Sequence, residues 1–352
     1  MTRTDAKRPT KTTGAPTPVQ QLDLVCPAGS LPALRTAVDH GADWVYLGLR
    51  GATNARNFPG LNFDESSLRQ GIAYAHRHGV QVLLALNTYP QPQSWALWTQ
   101  TVDQAVELGI DAIILADLGL LHHARQRYPE LTLHLSVQGS ATNYEAINFY
   151  HERFGIRRVV LPRVLSLAQV EHTVAHTPVE VEVFGFGGLC VMLEGRCTLS
   201  SYVTGASPNT AGVCSPPEAV RWYERDGARE TRVGGLLVDR YEAGENAAYP
   251  TLCKGRYVVG GQRYYSFEEP ASLNTLTMLP QLLAAGVRAI KLEGRQRSPA
   301  YVAQVTRIWR AAIDECCADP EHFVARAEWQ QGLATVSEGG QCTLGAYHRP
   351  WK

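Results

Sequence analysis

The sequence has no apolar run approaching the roughly 20 residues that span a bilayer. It also has no excess charge of either sign: Lys plus Arg and Asp plus Glu stand at 33 each in 352 residues. A balanced chain lacks the bulk attraction that draws basic proteins to nucleic acid or anionic membranes. The first residues, MTRTDAKRPTKTTGAPTPVQ, contain no apolar stretch of the kind that opens a secretory signal, and residues 1–20 read as a disordered tail. The expected location is therefore the cytoplasm, where thiols stay reduced and grouped cysteines point to metal or catalysis rather than disulfides. Gly-x-Gly-x-x-Gly phosphate loops are missing, as are Gly-x-Ser-x-Gly, His-Glu-x-x-His and any Cys-x2-4-Cys pair. These absences speak against a nucleotide site, a serine hydrolase, a zinc protease and a zinc knuckle.

What is present is alternation. Eight strand-like runs, 22–26, 44–49, 80–87, 111–117, 131–138, 157–163, 179–185 and 288–294, are separated by amphipathic stretches. Those stretches predict helices near 31–40, 66–78, 94–108, 118–127, 143–153, 166–175, 272–285 and 299–317. Eight strands each followed by a helix predict an α/β fold, a (β/α)8 TIM-like barrel, with a doubly wound sheet as the competitor. The rhythm breaks once. Between the seventh strand and its helix lie about 85 residues, 186–271, where a usual βα loop has about 2–6. The break holds hairpin-like pieces such as RYVVGGQRYYSF and reads as a small β-rich insertion at the C-terminal end of the barrel. The expected organisation is thus a barrel from 21–185 and 272–318, an inserted subdomain over 186–271 and a C-terminal extension over 319–352.

Barrel strands alternate inward and outward. If Ile290 and Leu292 pack on helices, Lys291 and Glu293 point inward; likewise Glu180, Glu182 and Phe184 in the seventh strand, and His134, Ser136 and Gln138 in the fifth. Asn87, Asp117 and Arg163 stand at other strand ends. Polar groups converging there are what a barrel active site requires, and a buried ion-pair network is the competing account. His134, deeper in its strand, reads as a hydrogen-bonded core histidine. Arg295 and Arg297 follow the eighth strand, where barrels often bind anions.

Four cysteines belong to the insertion: Cys190, Cys197, Cys214 and Cys253, spaced C-x6-C, C-x16-C and C-x38-C. A cubane cluster takes one thiolate per iron from dispersed loops, and glycine-rich loops supply backbone donors to its sulfurs. The spacing leans to a [4Fe–4S] cluster, with zinc and free thiols as the other readings. Cys26 reads as core packing.

The runs PAGSLPALRTAVDHGADWVYLGL, NARNF, FGGLCVMLEGRCTLSSYVTG, TLCKGRY and IKLEGRQRSPAYV resemble the peptidase U32 (collagenase-like) family over residues 22–350. SVQGSATNYEAINFYH, SPNTAGVCSP, DRYEAGENAAYPTLCKGRY and TLGAYHRPW resemble its ubiquinone-biosynthesis branch. The resemblance implies a [4Fe–4S] cluster on Cys190, Cys197, Cys214 and Cys253. It further implies oxygen-independent hydroxylation of the ring of a prenylated quinone precursor, in a heterodimer with a UbiV-like paralogue. A lipid-carrier accessory protein would hold the precursor, and prephenate is the implied oxygen donor. Other members hydroxylate RNA bases, which is the alternative function; a peptidase is a third. In many members a histidine precedes the glycine where this chain has Phe186-Gly187, so a general-base role for that histidine does not carry over. Within this reading Arg163, Lys291 and Glu293 are the catalytic candidates. Asn54, Asn87, Arg295 and Arg297 are the substrate-binding candidates, the arginines and Lys291 suiting a carboxylate.

Overall fold

A computed structural model describes residues 21–192, 194, 197–208 and 214–348. The proposed tail, residues 1–20, lies outside the described residues.

All eight predicted strands form. They are β1 (Asp23–Pro27), β2 (Trp44–Leu47), β3 (Gln81–Leu86), β4 (Ala112–Leu115), β5 (Thr132–Leu135), β6 (Arg158–Val160), β7 (Glu180–Gly188) and, after the insertion, β14 (Ala289–Leu292). Each pairs parallel with the next, and β14 pairs parallel with both β7 and β1, which closes the barrel. The competing open sheet is excluded by that closure. The connecting helices start where the sequence offers caps. Ser30 accepts from Ala33 N–H with Pro32 in the first turn, and Asp64 and Ser67 form a reciprocal capping box before Glu65–Arg77. Ser298 caps the long helix Pro299–Ala318.

The parity argument holds. Ile290 and Leu292 join the large apolar shell between strands and helices, together with Leu24, Val45, Leu84 and Val181. The small interior cluster is Val25, Tyr46, Leu83, Ala112, Ile114 and Ala289. Residues 289 and 291 share that inner face, so Lys291 is enclosed by the barrel.

One expected helix differs. The segment 272–285 does not start as a helix: Ser272–Asn274 (β13) is a strand, and only Leu279–Ala284 is α-helical. β13 pairs antiparallel with the far end of β7, Ser272 opposite Gly188, and parallel with Cys342–Thr343 (β15). Between β7 and β13 the chain builds a three-stranded antiparallel sheet from β8 (Val220–Arg225), β9 (Ala228–Val233) and β10 (Leu236–Tyr241). It also builds a hairpin from β11 (Arg256–Val259) and β12 (Gln262–Tyr265). A separate small core of Val220, Val233, Val238 and Leu252 holds the sheet. No helix among the described residues is long and apolar enough to cross a membrane.

Candidate functional site

The C-terminal ends of the strands carry a connected set of charged side chains. Arg163, after β6, has a side chain 7% exposed and bridges two carboxylates: Nη1 donates to Glu194 at 2.6 Å and Nη2 to Glu293 at 3.1 Å. Its guanidinium carbon lies 3.5 Å from the Phe184 ring centre. Arg56, from the loop after β2, stands 3.8 Å from the other oxygen of Glu293. Burial alone would raise the Glu293 carboxyl; Arg163 and Arg56 overcome that and hold it below the usual carboxylate range. Arg163 and Glu293, two of the predicted catalytic residues, are therefore brought together, but as partners of one another.

Lys291 lies deeper. Its ammonium donates to Glu182 at 2.6 Å and sits 4.0 Å over the Tyr46 ring. Burial lowers its pKa and Glu182 opposes the shift. Arg158, which the sequence did not single out, completes this interior chain. It pairs with Asp23 and Glu180 at 2.7 Å each and stands 3.6 Å from Glu182. His134 is buried against Trp44, yet its Nδ1 has no hydrogen-bond partner among the described residues. That nitrogen does not make the hydrogen bond expected of a core histidine.

Asn54 and Asn87 turn out to brace the loop after β2. Asn54 Nδ2 donates to Leu49 O and Asn62 Oδ1; Asn54 Oδ1 accepts from Arg56 N–H and from Arg295 Nη1 at 2.7 Å. Asn87 Oδ1 accepts from Ala55 N–H. Asn54 thus has both ends of its amide engaged by protein. Arg295 is different. It is 7% exposed, it has no carboxylate within ion-pair distance among the described residues, and burial pushes its pKa down to about 10. A buried guanidinium without an acidic partner is costly unless an anion joins it. Arg297 is exposed and stacks over Tyr301 at 5.2 Å.

Above these groups sit the insertion's cysteines. Cys190, Cys197, Cys214 and Cys253 are all free and all partly buried. They lie in one another's electrostatic field: Cys190 with Cys214, and Cys253 with both Cys214 and Cys197. Burial pushes Cys190 up to about 12 and Cys253 to about 11, and raises Cys214 as well. Thiols so placed ionise only if a cation joins them. Arg163 faces Cys190, while Arg56, Glu293 and Lys254 face Cys214, so the thiols and the barrel-mouth charges form one neighbourhood. Among the described residues no three His, Cys, Asp or Glu side chains are close enough to hold a single metal ion. A multinuclear cluster spreads its ligands further apart than one tetrahedral ion does, and the donor set, four thiols, is the set it takes. The residues present fit such a group. Cys26 is buried and accepts from the Thr306 hydroxyl at 3.4 Å.

At the position before Gly187, Phe186 is buried in β7 and packs on Tyr301 at 6.4 Å. No base stands there.

The sequence pattern of peptidase family U32 matches residues 29–350. Among curated proteins, tRNA hydroxylation protein P of Escherichia coli is 32% identical over 334 residues, covering 89% of this chain and 72% of that protein. tRNA hydroxylation protein P1 of Bacillus subtilis is 28% identical over 337 residues, covering 95% and 72%. The 23S rRNA 5-hydroxycytidine C2501 synthase of Escherichia coli is 29% identical over 294 residues, covering 84% of this chain and 39% of its own length.

Proposed function

The chain belongs to peptidase family U32, and from that membership we propose that it is an oxygen-independent hydroxylase subunit that delivers oxygen to an aromatic ring at the C-terminal end of its barrel. The observation that carries this reading is a conjunction at one end of the barrel: four free thiols in one another's electrostatic field, which through Cys214 share Arg56 and Glu293 as neighbours with a buried guanidinium, Arg295, that has no carboxylate within ion-pair distance among the described residues. Cys190, Cys197, Cys214 and Cys253 would hold a [4Fe–4S] cluster, whose chemistry when bound is one-electron transfer.

The chain's own groups supply position and charge. Arg295 offers guanidinium N–H donors to the carboxylate of an organic oxygen donor, with prephenate the proposed compound. Its hydrogen bond to Asn54 fixes the plane in which those donors point. Arg163 ties Glu194, between the first two cysteines, to Glu293 at the strand end, and so holds the thiol-bearing loop over the barrel. Lys291 is locked by Glu182 and keeps positive charge under the mouth rather than serving as a free base.

For the ring, the proposed substrate is a prenylated quinone precursor, acted on together with a UbiV-like paralogue and presented by a lipid-carrier protein. The balanced charge supports it, since RNA recognition leans on a surplus of unpaired Lys and Arg. A second reading, an RNA base, is supported by the names of all three relatives above, two tRNA hydroxylation proteins and an rRNA 5-hydroxycytidine synthase, and the likeness to them supports it more directly than the quinone. A peptidase reading has no nucleophile–base pair to stand on among the site residues described above.

The experiment is a deletion strain grown without dioxygen, with quinones and hydroxylated nucleosides quantified together. Loss of ubiquinone with unchanged nucleosides is the expected result. Loss of a hydroxylated nucleoside with normal quinone overturns the first substrate in favour of the second. Zinc instead of iron and sulfide in anaerobically purified protein overturns the cluster.

A further inference from the structure

Cys253 occupies the middle of a single helical turn, Leu252–Lys254. Its neighbour Lys254 is buried, and the Lys254 ammonium pairs with Glu338 in the C-terminal extension. Glu338 is itself held. Its backbone N–H donates to Ser272 Oγ at 2.9 Å, and Ser272 is the β13 residue opposite both Gly188 and Cys342. The Glu338 carboxylate lies 4.0 Å from the point a Gly188 Cβ would occupy, two residues before Cys190. The following residues continue the contact: Leu189, beside Cys190, packs with Leu273 and Tyr347. One short segment, 338–347, thus touches the strand end that carries Cys190 and the turn that carries Cys253.

We propose that Glu338, acting through Lys254, is a positioning residue for Cys253, and that the C-terminal extension is thereby part of the thiol site although it contributes no thiol to it. The inference rests on the reading that the four cysteines hold a cluster. The physical reason is simple. A buried ammonium deprived of its carboxylate turns toward water, and Lys254 is covalently next to Cys253, so its side chain cannot leave without moving the turn. Lys254 also lies in the field of Cys214 as well as Cys253. A shift of this one side chain is felt at two of the four thiols.

The test uses the full-length protein purified without dioxygen. Iron and sulfide per chain, the EPR spectrum of the reduced protein and the half-time of iron loss to a chelator are compared for wild type, Glu338→Gln and Glu338→Asp. The control is Arg326→Ala, which removes another ion pair of the extension, to Glu315, away from the thiols. Glu338→Gln is expected to lose iron about tenfold faster and to change the EPR signal. Glu338→Asp is expected to recover part of both, and the control neither. If Glu338→Gln fails to fold, the double variant Lys254→Met with Glu338→Leu removes both charges, leaves no ammonium to turn outward, and is expected to fold and hold iron near the wild-type rate. Wild-type iron retention in Glu338→Gln, or about tenfold faster loss in the double variant, overturns the inference. A wild-type protein without iron overturns the cluster reading instead, and the inference falls with it.

Discussion

At the scale of single residues, parity along a strand made Lys291, Glu182 and Phe184 legible as inward-facing, because alternation needs no knowledge of the fold. It could not say what each would meet. Asn54 reads as a binding residue from the sequence, while the fold surrounds it with Leu49 O, Asn62 and Arg56 of its own loop and with Arg295, which the barrel closure brings from the far end of the chain. Arg295 is the opposite case: that no carboxylate among the described residues comes within ion-pair distance of it is visible only in three dimensions. Arg295→Gln should weaken binding of a dicarboxylate such as prephenate about tenfold or more, with Arg297→Gln near wild type, read by titration calorimetry. His134 carries a pH prediction. Burial, reinforced by Arg158 and Lys291, holds its imidazole well below the usual 6.5, so it is neutral in the folded protein. The unfolded chain takes up that proton as pH falls through 6.5, and stability from this group is lost toward acid, at up to about 1.4 kcal/mol per pH unit. Urea unfolding of wild type and His134→Gln across about pH 5 to 7 should show the wild type alone carrying that extra slope.

At the scale of elements, the strands were found because hydrophobic periodicity is local, and β13 was missed because it is not. Three residues, Ser272–Asn274, are a strand only by virtue of β7 and β15 on either side. Two glycines show why short motifs recur at strand ends. In the Pro-Ala-Gly turn after β1, a Cβ on Gly29 would fall 1.8 Å from the Arg295 carbonyl oxygen. Gly187 combines φ +132° with a Cβ position 2.4 Å from Glu293 Cβ. Gly187→Ala therefore strains the backbone and pushes Glu293 off Arg163. Chemical denaturation should show a loss of about 2–4 kcal/mol, and iron content should fall with it. Gly205→Ala, also at positive φ but with open space around it, should cost less.

At the scale of the whole molecule, the barrel was readable from eight repeats of one pattern, while the relation between insertion and extension was not, since nothing in either segment announces the other. The barrel and the insertion keep separate apolar cores, one large and one of four buried residues. If a cluster is the main support of the smaller one, stripping iron should loosen it first. Limited proteolysis after chelation should then cut within 189–271 and leave the barrel intact, whereas cleavage throughout would mean that the two unfold as one. The pairing of β7 with β13, and of β13 with β15, has a further consequence for recombination between relatives. A graft of the insertion together with β13 but without β15 would carry Ser272 to a host whose terminal strand is foreign, leaving an unpaired sheet edge open to aggregation. Residues 189–274 and 338–347, though separated by the last barrel strand and its long helix, are exchangeable only as a pair.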